Sequence, residues 1–447
     1  MIARPDKETI SAISTPIGVG AMGIVRVSGP QAISIGSRVL GKNLSKLEPR
    51  KALYGFVRDP ETGNLIDEVV FIIYHAPSSY TGEDMLEIFT HGGLVAPREV
   101  LQVLLKNGVR LAERGEFARR GFLNNKMDLV KAQGIIDVVD ARSQKALFTS
   151  VYRLKGEASE TVVSLKKKLE QILVSLEATV DFPEEVDEEI KVVTELYRVA
   201  EEMELLLKGM ETSRRLRQGL KVVIIGKTNV GKSSLYNALL QEERAIVTSI
   251  PGTTRDVLES QLEYQGYPIL IYDTAGIRAT SDEIETISIS RTRQAVKGAD
   301  MVLLVIDASI PLEEEDEEFF YDLKEKGGLI ILNKIDLPEK IDRERILSYG
   351  FSLLETSARM GSGIDNILIK VVEMAFVSNL DLMLSEREAN YLGEVLKHIR
   401  GAVENISTLD IVGHHLREGV TELRKILGEE PIINLTEEIF KNFCVGK

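Results

Sequence analysis

The chain has 447 residues, a formal net charge of −14 and a single cysteine. This length allows two to four domains with ample cores, and the acidic excess argues against a protein whose affinity rests on a globally basic surface. One cysteine excludes an intrachain disulfide. Since we find neither an apolar run of transmembrane length nor a charged and then apolar leader, we expect a cytoplasmic protein that contacts no membrane.

Residues 1–118 are predicted to form an α+β domain. Short β-like runs at Val69–Tyr74 and Met85–Thr90 occur together with helical patterns at Gln31–Leu40 and Ala96–Asn107. Two polar segments, 79–84 and 91–93, bracket the second β-like run, and either simple turns or a shared pocket would account for them.

The following residues change character, because long, charged, helix-favouring segments such as Leu154–Leu176 dominate 119–217. Similar segments, Ala389–Val403 and Leu409–Leu427, return in 379–447. A complete α/β unit, 218–378, separates the two helical stretches. The fold class predicted is therefore multidomain α/β, with the N-terminal α+β domain and a helical domain interrupted by an inserted Ras-like P-loop GTPase domain.

Residues 98–131 form a mildly basic stretch in this acidic chain, with eight Lys or Arg against four Asp or Glu. Such a stretch fits contact with RNA phosphates, and it fits an ordinary amphipathic surface equally well.

The inserted unit carries four motifs, each at the end of an apolar run. Residues 226–233 read G-K-T-N-V-G-K-S after Leu220–Ile225, the strand, glycine loop and helix context that holds phosphates. The motifs D-T-A-G at 273–276, N-K-I-D at 333–336 and T-S-A at 356–358 follow in order. Together they predict a guanine-nucleotide switch.

Each motif has a chemical role. Lys232 places charge on the β- and γ-phosphates, and the Ser233 hydroxyl ligates Mg²⁺. Asp336 accepts the two N–H groups of guanine that adenine lacks, so that a carboxylate buried by the wrong base would stay unpaired. Residues 248–256 are the switch segment, in which Thr254 is the candidate to close on Mg²⁺. The nucleotide contacts predicted are Asn229, Val230, Gly231, Lys232, Ser233, Ser234, Thr248, Ser249, Ile250, Pro251, Gly252, Thr253, Thr254, Asp273, Thr274, Ala275, Gly276, Asn333, Lys334, Asp336, Ser357 and Ala358.

The residue after D-T-A-G is Ile277, where many small GTPases have a glutamine that orients the attacking water. An apolar side chain cannot do this. The neutral oxygen of Asn229 lies in the phosphate loop, and a monovalent cation held there would supply the charge of an arginine finger. A polar turn residue is the alternative interpretation of Asn229.

These motifs and several N-terminal segments resemble the MnmE (TrmE) tRNA modification GTPases nearly end to end. The resemblance rests on I-S-T-P-I-G-V-G at 13–20, I-V-R-V-S-G at 24–29, Y-T-G-E-D at 80–84, H-G-G at 91–93, R-G-E-F at 114–117, F-L-N-N-K-M-D-L at 122–129, G-T-T-R-D at 252–256, D-T-A-G-I-R at 273–278 and C-V-G-K at 444–447.

The resemblance implies a homodimer built on the N-terminal domain, which binds 5-formyl- or methylene-tetrahydrofolate. It implies a flavoprotein partner, MnmG, that carries FAD. Together the two proteins would form 5-carboxymethylaminomethyl-type groups on the wobble uridine of tRNA, in a complex that hydrolyses GTP with K⁺ stimulation.

By position, the resemblance also implies individual roles. Glu285 would orient the water, although sequence alone does not choose it over Glu283, and Lys232 and Asn229 would act beside it in catalysis. The role of Cys444 stays open. The implied ligand sets are K⁺ on Asn229, Thr248, Ile250 and Thr253; Mg²⁺ on Ser233 and Thr254; and folate on Arg26, Glu83, Lys126 and Lys447.

The alternative function is a GTP-dependent RNA or ribosome assembly switch without one-carbon chemistry. Such switches usually carry a basic RNA-binding module, and here only the weak 98–131 stretch resembles one.

Overall fold

The computed structural model describes residues 8–181, 186–240, 259–273, 294–376, 384–430, 439–444 and 446. Its contacts divide the chain into two compact units. The first consists of Met1–Ile136, Arg153–Glu201 and Asn390–Lys447, and the second of Asp137–Tyr152 and Glu202–Ala389.

The described part of the chain contains two six-stranded sheets and helices of very different lengths. The strands are β1 Ile10–Ile13, β2 Met22–Ser28, β3 Leu53–Arg58, β4 Leu65–Tyr74, β5 Met85–His91, β6 Arg110–Leu111, β7 Leu220–Ile225, β8 Glu259–Tyr264, β9 Tyr267–Asp273, β10 Met301–Asp307, β11 Gly328–Asn333 and β12 Leu353–Glu355. The helices are α1 Ala32–Leu40, α2 Ala96–Lys106, α3 Glu116–Leu123, α4 Leu129–Val139, α5 Gln144–Lys155, α6 Glu157–Asp181, α7 Val186–Lys208, α8 Met210–Gln218, α9 Lys232–Leu239, α10 Glu314–Lys326, α11 Arg343–Leu347, α12 Ile364–Ala375, α13 Glu386–Glu404 and α14 Leu409–Leu427.

The first unit contains a mixed sheet in the order β3-β4-β5-β2-β1-β6, antiparallel except between β1 and β6. In β4 the buried residues Val69, Phe71 and Ile73 alternate with more exposed neighbours, as expected for a strand with one face on a core. That core also contains residues of α1 and α2. The predicted α+β character of this region is confirmed.

The helices of both flanking stretches form where apolar residues recur at helical spacing. Helix α14 has the bounds predicted for it, whereas the predicted segment Leu154–Leu176 is divided between α5 and α6. The break falls at Gly156, which has φ +99°, a conformation that other residues rarely adopt. No helix among the described ranges is long and apolar enough to cross a membrane.

The second unit contains a sheet in the order β12-β11-β10-β7-β9-β8, parallel except for β8. Both faces are covered. Val222 and Ile224 of β7 join the core that includes α9 and α12, while Val223 and Ile225 join the core that includes α10. Strand order reverses beside β7, so the loop after β7 lies where open parallel sheets bind ligands. The Ras-like part of the predicted fold class is confirmed.

Candidate functional site

The loops after β7, β11 and β12 meet at one edge of the second unit's sheet. Because these strands are parallel, their carboxyl ends bring the G-K-T-N-V-G-K-S, N-K-I-D and T-S-A motifs together. Side chains of one loop bond the backbone of another, so the three motifs form one connected site.

Two glycines allow the phosphate loop its close approaches. Gly226 has φ +137°, and a Cβ there would lie 2.3 Å from the Val305 carbonyl oxygen. Gly231 has φ +102°, and a Cβ there would lie 2.2 Å from Asn333 Nδ2. Any side chain at either position would push the loop away from its neighbours. The loop leads into α9, and helix N-termini of this kind favour anions.

Lys232, Ser233 and Ser234 begin α9 at the end of this loop. The Lys232 ammonium donates hydrogen bonds to the carbonyls of Gly226 and Lys227 and is 9% exposed. Ser233 and Ser234 are exposed on the first turn. The Lys232 ammonium lies against the phosphate loop, and the exposed Ser233 hydroxyl lies next to it in sequence. A positive charge and a hydroxyl in these positions are suited to bind a phosphate and its Mg²⁺.

Asn333 and Lys334 tie the loop after β11 to the phosphate loop. Asn333 is 2% exposed, and its Nδ2 donates to the Val230 carbonyl at 2.9 Å while its Oδ1 accepts from the Ala358 amide at 3.0 Å. Lys334 Nζ donates to the Asn229 carbonyl at 2.8 Å. Asn229 and Lys334 both have positive φ, +63° and +65°. These hydrogen bonds hold the loop after β11 against the phosphate loop.

Asp307 is a member of this cluster that the motifs did not predict. It ends β10, and its Oδ2 accepts from Lys334 Nζ at 2.5 Å. Burial raises its pKa, but hydrogen bonds from Lys334 and Ser309 outweigh that and lower it. The signal was available in the sequence, because Asp307 closes the apolar run Met301–Ile306 as Asp273 and Asn333 close theirs.

Asp336 and Ser357 lie on the outer side of this cluster. Asp336 is exposed, and its Oδ1 accepts a hydrogen bond from Ser357 Oγ at 2.6 Å, which lowers the pKa of the carboxyl. Ser357 and the preceding Thr356 are buried. A carboxylate with a fixed orientation at the mouth of the site is suited to accept two N–H groups of a base.

Several predicted site residues lie outside the described residues. They are Thr248, Ser249, Ile250, Pro251, Gly252, Thr253, Thr254, Thr274, Ala275, Gly276, Glu285 and Lys447. Asp273 ends β9, next to Ile224 of β7 in register. Of the predicted cation ligands, the structure therefore describes Asn229 and Ser233.

The described ranges contain no group of three or more His, Cys, Asp or Glu side chains placed to hold a metal ion. Mg²⁺ in nucleotide sites needs no such group, since phosphates and water supply most of its ligands. The exposed Ser233 hydroxyl on the first turn of α9 fits that coordination.

A second cluster of predicted residues lies in the first unit, around Arg26 of β2. Arg26 stands opposite Glu87 of β5 in register and binds its carboxylate through Nε at 2.9 Å and Nη2 at 2.8 Å. The guanidinium carbon lies 5.3 Å from the centre of the Tyr80 ring and 5.7 Å from that of Phe117. Tyr74 donates to the other oxygen of Glu87 at 3.0 Å.

Burial raises the pKa of both tyrosines of this cluster, Tyr74 and Tyr80, to about 12. Both hydroxyls therefore keep their protons at neutral pH. The Arg26 guanidinium thus lies beside neutral aromatic rings as well as the Glu87 carboxylate.

Glu83 is brought to the same face of the sheet by Ser28, two residues after Arg26 on β2. Side chains two apart on a strand share a face, and Ser28 Oγ donates to Glu83 Oε2 at 2.7 Å. Arg120 Nη1 lies 3.3 Å from Oε1 and 3.2 Å from Oε2 of the same carboxylate. Ser28 therefore holds the Glu83 carboxylate on the face of the sheet that also carries Arg26.

Lys126 and the C-terminal segment border this cluster. Lys126 is exposed, and its chain passes the 79–84 loop, since a Cβ on Gly82 would lie 3.3 Å from Lys126 Cδ. The Gly446 carbonyl accepts from Ser14 Oγ at 2.9 Å and from Arg26 Nη1 at 3.2 Å. Cys444 is exposed and forms no disulfide. The structure therefore brings the Gly446 carbonyl to Arg26.

The basic stretch 98–131 is not one free surface. Arg120 is 2% exposed and binds Glu116, and Arg110 binds Glu116 as well. Arg119 lies 3.6 Å from Glu113. Three of its eight basic side chains, Arg110, Arg119 and Arg120, are therefore paired with carboxylates of the first unit.

The comparisons with known proteins cover nearly the whole chain. The family described as GTP-binding protein TrmE N-terminus matches residues 9–126, and the MnmE helical domain matches residues 129–444. The tRNA modification GTPase MnmE of Carboxydothermus hydrogenoformans is 41% identical over 465 residues, which cover 99% of this chain and 100% of that protein. Those of Pseudothermotoga lettingae and Thermotoga maritima are 40% and 39% identical and cover 98% of this chain and 100% of their own lengths. These matches confirm the resemblance carried by the motifs: the chain belongs to the MnmE (TrmE) family of tRNA modification GTPases.

Proposed function

We propose that the protein is a K⁺-stimulated GTP hydrolase that takes part, with a flavoprotein partner, in modifying the wobble uridine of tRNA. The observation that carries the GTPase part is the direct bonding of the phosphate loop to the base-reading loop through Asn333 and Lys334. The tRNA part is supported by relatives of full length that are named tRNA modification GTPases.

In this proposal the nucleotide is held by the motifs as predicted. Lys232 and the amides of the phosphate loop bind the phosphates, Asp336 reads guanine, and Ser357 and Ala358 border the base. Ser233, with Thr254, would hold Mg²⁺, which neutralises charge on the phosphates. Asn229, with Thr248, Ile250 and Thr253, would hold K⁺, which supplies the positive charge of an arginine finger.

Glu285 would orient the attacking water, because Ile277 cannot. A carboxylate within one hydrogen bond of the water fixes its lone pair toward the phosphorus and accepts its proton as the bond forms. Lys232 then stabilises the charge that develops on the transferred phosphoryl group.

The N-terminal cluster would bind a reduced folate, 5-formyl- or methylene-tetrahydrofolate, which supplies a one-carbon unit. Arg26, Glu83, Lys126 and Lys447 would contact it, and the Tyr80 ring beside Arg26 suits its flat heterocycle. FAD would belong to the MnmG-like partner. We further propose a homodimer built on this domain, and domain boundaries at 1–118, 119–217, 218–378 and 379–447.

Mass spectrometry of wobble uridines in tRNA from cells that lack the protein tests this function. We expect the 5-carboxymethylaminomethyl-type groups to disappear and to return with the wild-type chain, but not with Lys232→Ala or Glu83→Gln. Lys370→Ala is the matched control, because this exposed lysine of α12 lies outside the motifs and pairs with Glu373. Unchanged uridines in cells without the protein would overturn the proposal and favour an assembly switch.

A further inference from the structure

Arg120 and Glu116 form a buried ion pair that the proposed chemistry does not use. Arg120 is 2% exposed and Glu116 1% exposed, and both lie on α3, four residues apart. Burying charges costs free energy unless they are paired and fully hydrogen-bonded. Helix α3 is largely buried, and because Arg120 also bonds groups outside this helix, the pair can act beyond the packing of α3 itself.

The hydrogen bonds of Arg120 differ in length. Its Nη2 donates to Glu116 Oε1 at 2.8 Å, whereas its Nη1 donates to the Glu8 carbonyl at 2.9 Å. The contacts from Nη1 to the two oxygens of Glu83 are longer, 3.3 and 3.2 Å. Glu116 and Glu8 therefore fix the guanidinium plane, and the Glu83 carboxylate rests against it with capacity to accept further hydrogen bonds.

Glu116 is itself strongly held. It accepts from Arg110 at 2.6 and 3.1 Å and from the Glu113 amide at 2.9 Å. Arg110 is 32% exposed and does not touch Glu83 among the hydrogen bonds and ion pairs of the described residues. Two arginines thus bind the buried Glu116 carboxylate, and of these two Arg120 also contacts Glu83.

We propose that Arg120 is a positioning residue that orients the Glu83 carboxylate for ligand binding, with Glu116 as the group that fixes Arg120. This inference rests on the proposed function, in which Glu83 contacts a reduced folate. The ligand then meets a carboxylate that is already oriented, so less conformational entropy is lost on binding.

Calorimetric titration of the full-length protein with 5-formyltetrahydrofolate tests the proposal. Arg120→Lys keeps the charge, but a compact ammonium cannot bind two carboxylates and a carbonyl in one plane. We expect affinity to fall about tenfold, the equivalent of one hydrogen bond to a charged group. In a Glu83→Gln background, Arg120→Lys should lower the affinity by less than about twofold, because Arg120 acts through Glu83.

Two variants control for folding. Arg119→Lys changes an arginine of the same helix that lies beside Glu113 at 3.6 Å, outside the network of Glu116 and Glu83, and should leave affinity within about twofold. Glu116→Gln preserves side-chain volume. It should weaken folate binding several-fold when Glu83 is present, but not in the Glu83→Gln background. If Arg120→Lys does not fold, Glu116→Gln carries the same test, with its melting temperature as the check on structure.

The outcomes separate the two proposals. Wild-type affinity for Arg120→Lys, or losses that add to those of Glu83→Gln, would show that Arg120 does not act through Glu83. Undiminished binding by Glu83→Gln alone would overturn this inference and leave folate binding standing. No binding by the wild-type protein would overturn the proposed folate site, and the inference with it.

Discussion

Lys334 connects three parts of the nucleotide site through one ammonium group. It donates to the Asn229 carbonyl of the phosphate loop and to Asp307 at the end of β10. Ser309 holds the other oxygen of Asp307 through its amide at 2.9 Å and its hydroxyl at 2.7 Å. The side chain that crosses from the base loop to the phosphate loop is therefore fixed at both ends.

Asp307→Asn removes the charge that holds Lys334. We expect affinity for GTP and GDP to fall alike, by about tenfold, because the two loops lose their common anchor. Equilibrium titration with a fluorescent guanine nucleotide measures it. In a cycle with Lys334→Met the two losses should be strongly non-additive, and simple additivity would contradict the link.

Asp336→Asn changes the group that we propose reads the base. An amide donates to the 2-oxo group of xanthine but cannot accept two N–H bonds, so we expect GTP affinity to fall roughly 100-fold and xanthine nucleotides to bind better. Glu339→Gln, an exposed neighbour that binds Arg343, should leave both affinities unchanged. Wild-type GTP affinity in Asp336→Asn would show that another group reads guanine.

At the scale of the element, α3 contains two opposite charges inside the first unit. Burial raises the pKa of Glu116, but hydrogen bonds from Arg110, the Glu113 amide and Arg120 outweigh it and lower the pKa to about 2. The carboxylate is thus more stable in the folded protein than in the unfolded chain. Its stabilising contribution is complete above an unfolded pKa of about 4.3 and disappears as the pH falls toward 2.

Glu116→Gln removes this titration. We expect the variant to be less stable than the wild type at pH 6 and the difference to shrink at pH 3. Urea midpoints followed by circular dichroism at both values test this. Glu113→Gln is the control, since that side chain is 68% exposed and lies 3.6 Å from Arg119. A difference that stays constant with pH would mean that Glu116 does not titrate as described.

At the scale of the whole molecule, the two candidate sites lie in different compact units. Asn229, Lys232 and Asp336 belong to the second, whereas Arg26 and Glu83 belong to the first. The residues proposed for GTP hydrolysis and those proposed for folate binding therefore belong to separate compact units.

The proposed K⁺ site predicts how the rate of GTP hydrolysis depends on the monovalent cation. We expect much faster hydrolysis in K⁺ than in Na⁺ at matched ionic strength, because the larger ion suits a site of carbonyls and one amide oxygen. Asn229→Ala should abolish the difference, with nucleotide binding largely kept. Asn229→Gly is the better control for strain, since the backbone there has φ +63°. Equal wild-type rates in the two salts would exclude a K⁺ finger.

The water-orienting group is tested by two neighbouring carboxylates. Glu285→Ala should lower single-turnover hydrolysis by about 10²–10⁴-fold, the usual contribution of a positioned general base, with GTP affinity preserved. Glu283→Ala should be near neutral. Both positions lie outside the described residues, so this remains a prediction from family position. An undiminished rate for Glu285→Ala would point to another carboxylate.

The sequence by itself determined the parts of this protein that depend on local chemistry. The bounds of β7 and α14 follow from apolar runs and helical spacing, and the P-loop, N-K-I-D and T-S-A motifs follow from residue types that nucleotide binding requires. These signals are local, because hydrophobic period and turn residues are read within a few positions. Gly156 was the local signal that the prediction of a helix over 154–176 overlooked.

Only the tertiary structure decided which distant residues meet. The sequence positions of Glu83 and Arg120 do not show that these side chains touch. Those of Asp307 and Lys334 do not show their ion pair either. The same holds for the Gly446 carbonyl on Arg26. The physical reason is that a buried charge is stable only beside its partner, and the partner is brought there by strand order and helix packing, which the local pattern does not encode.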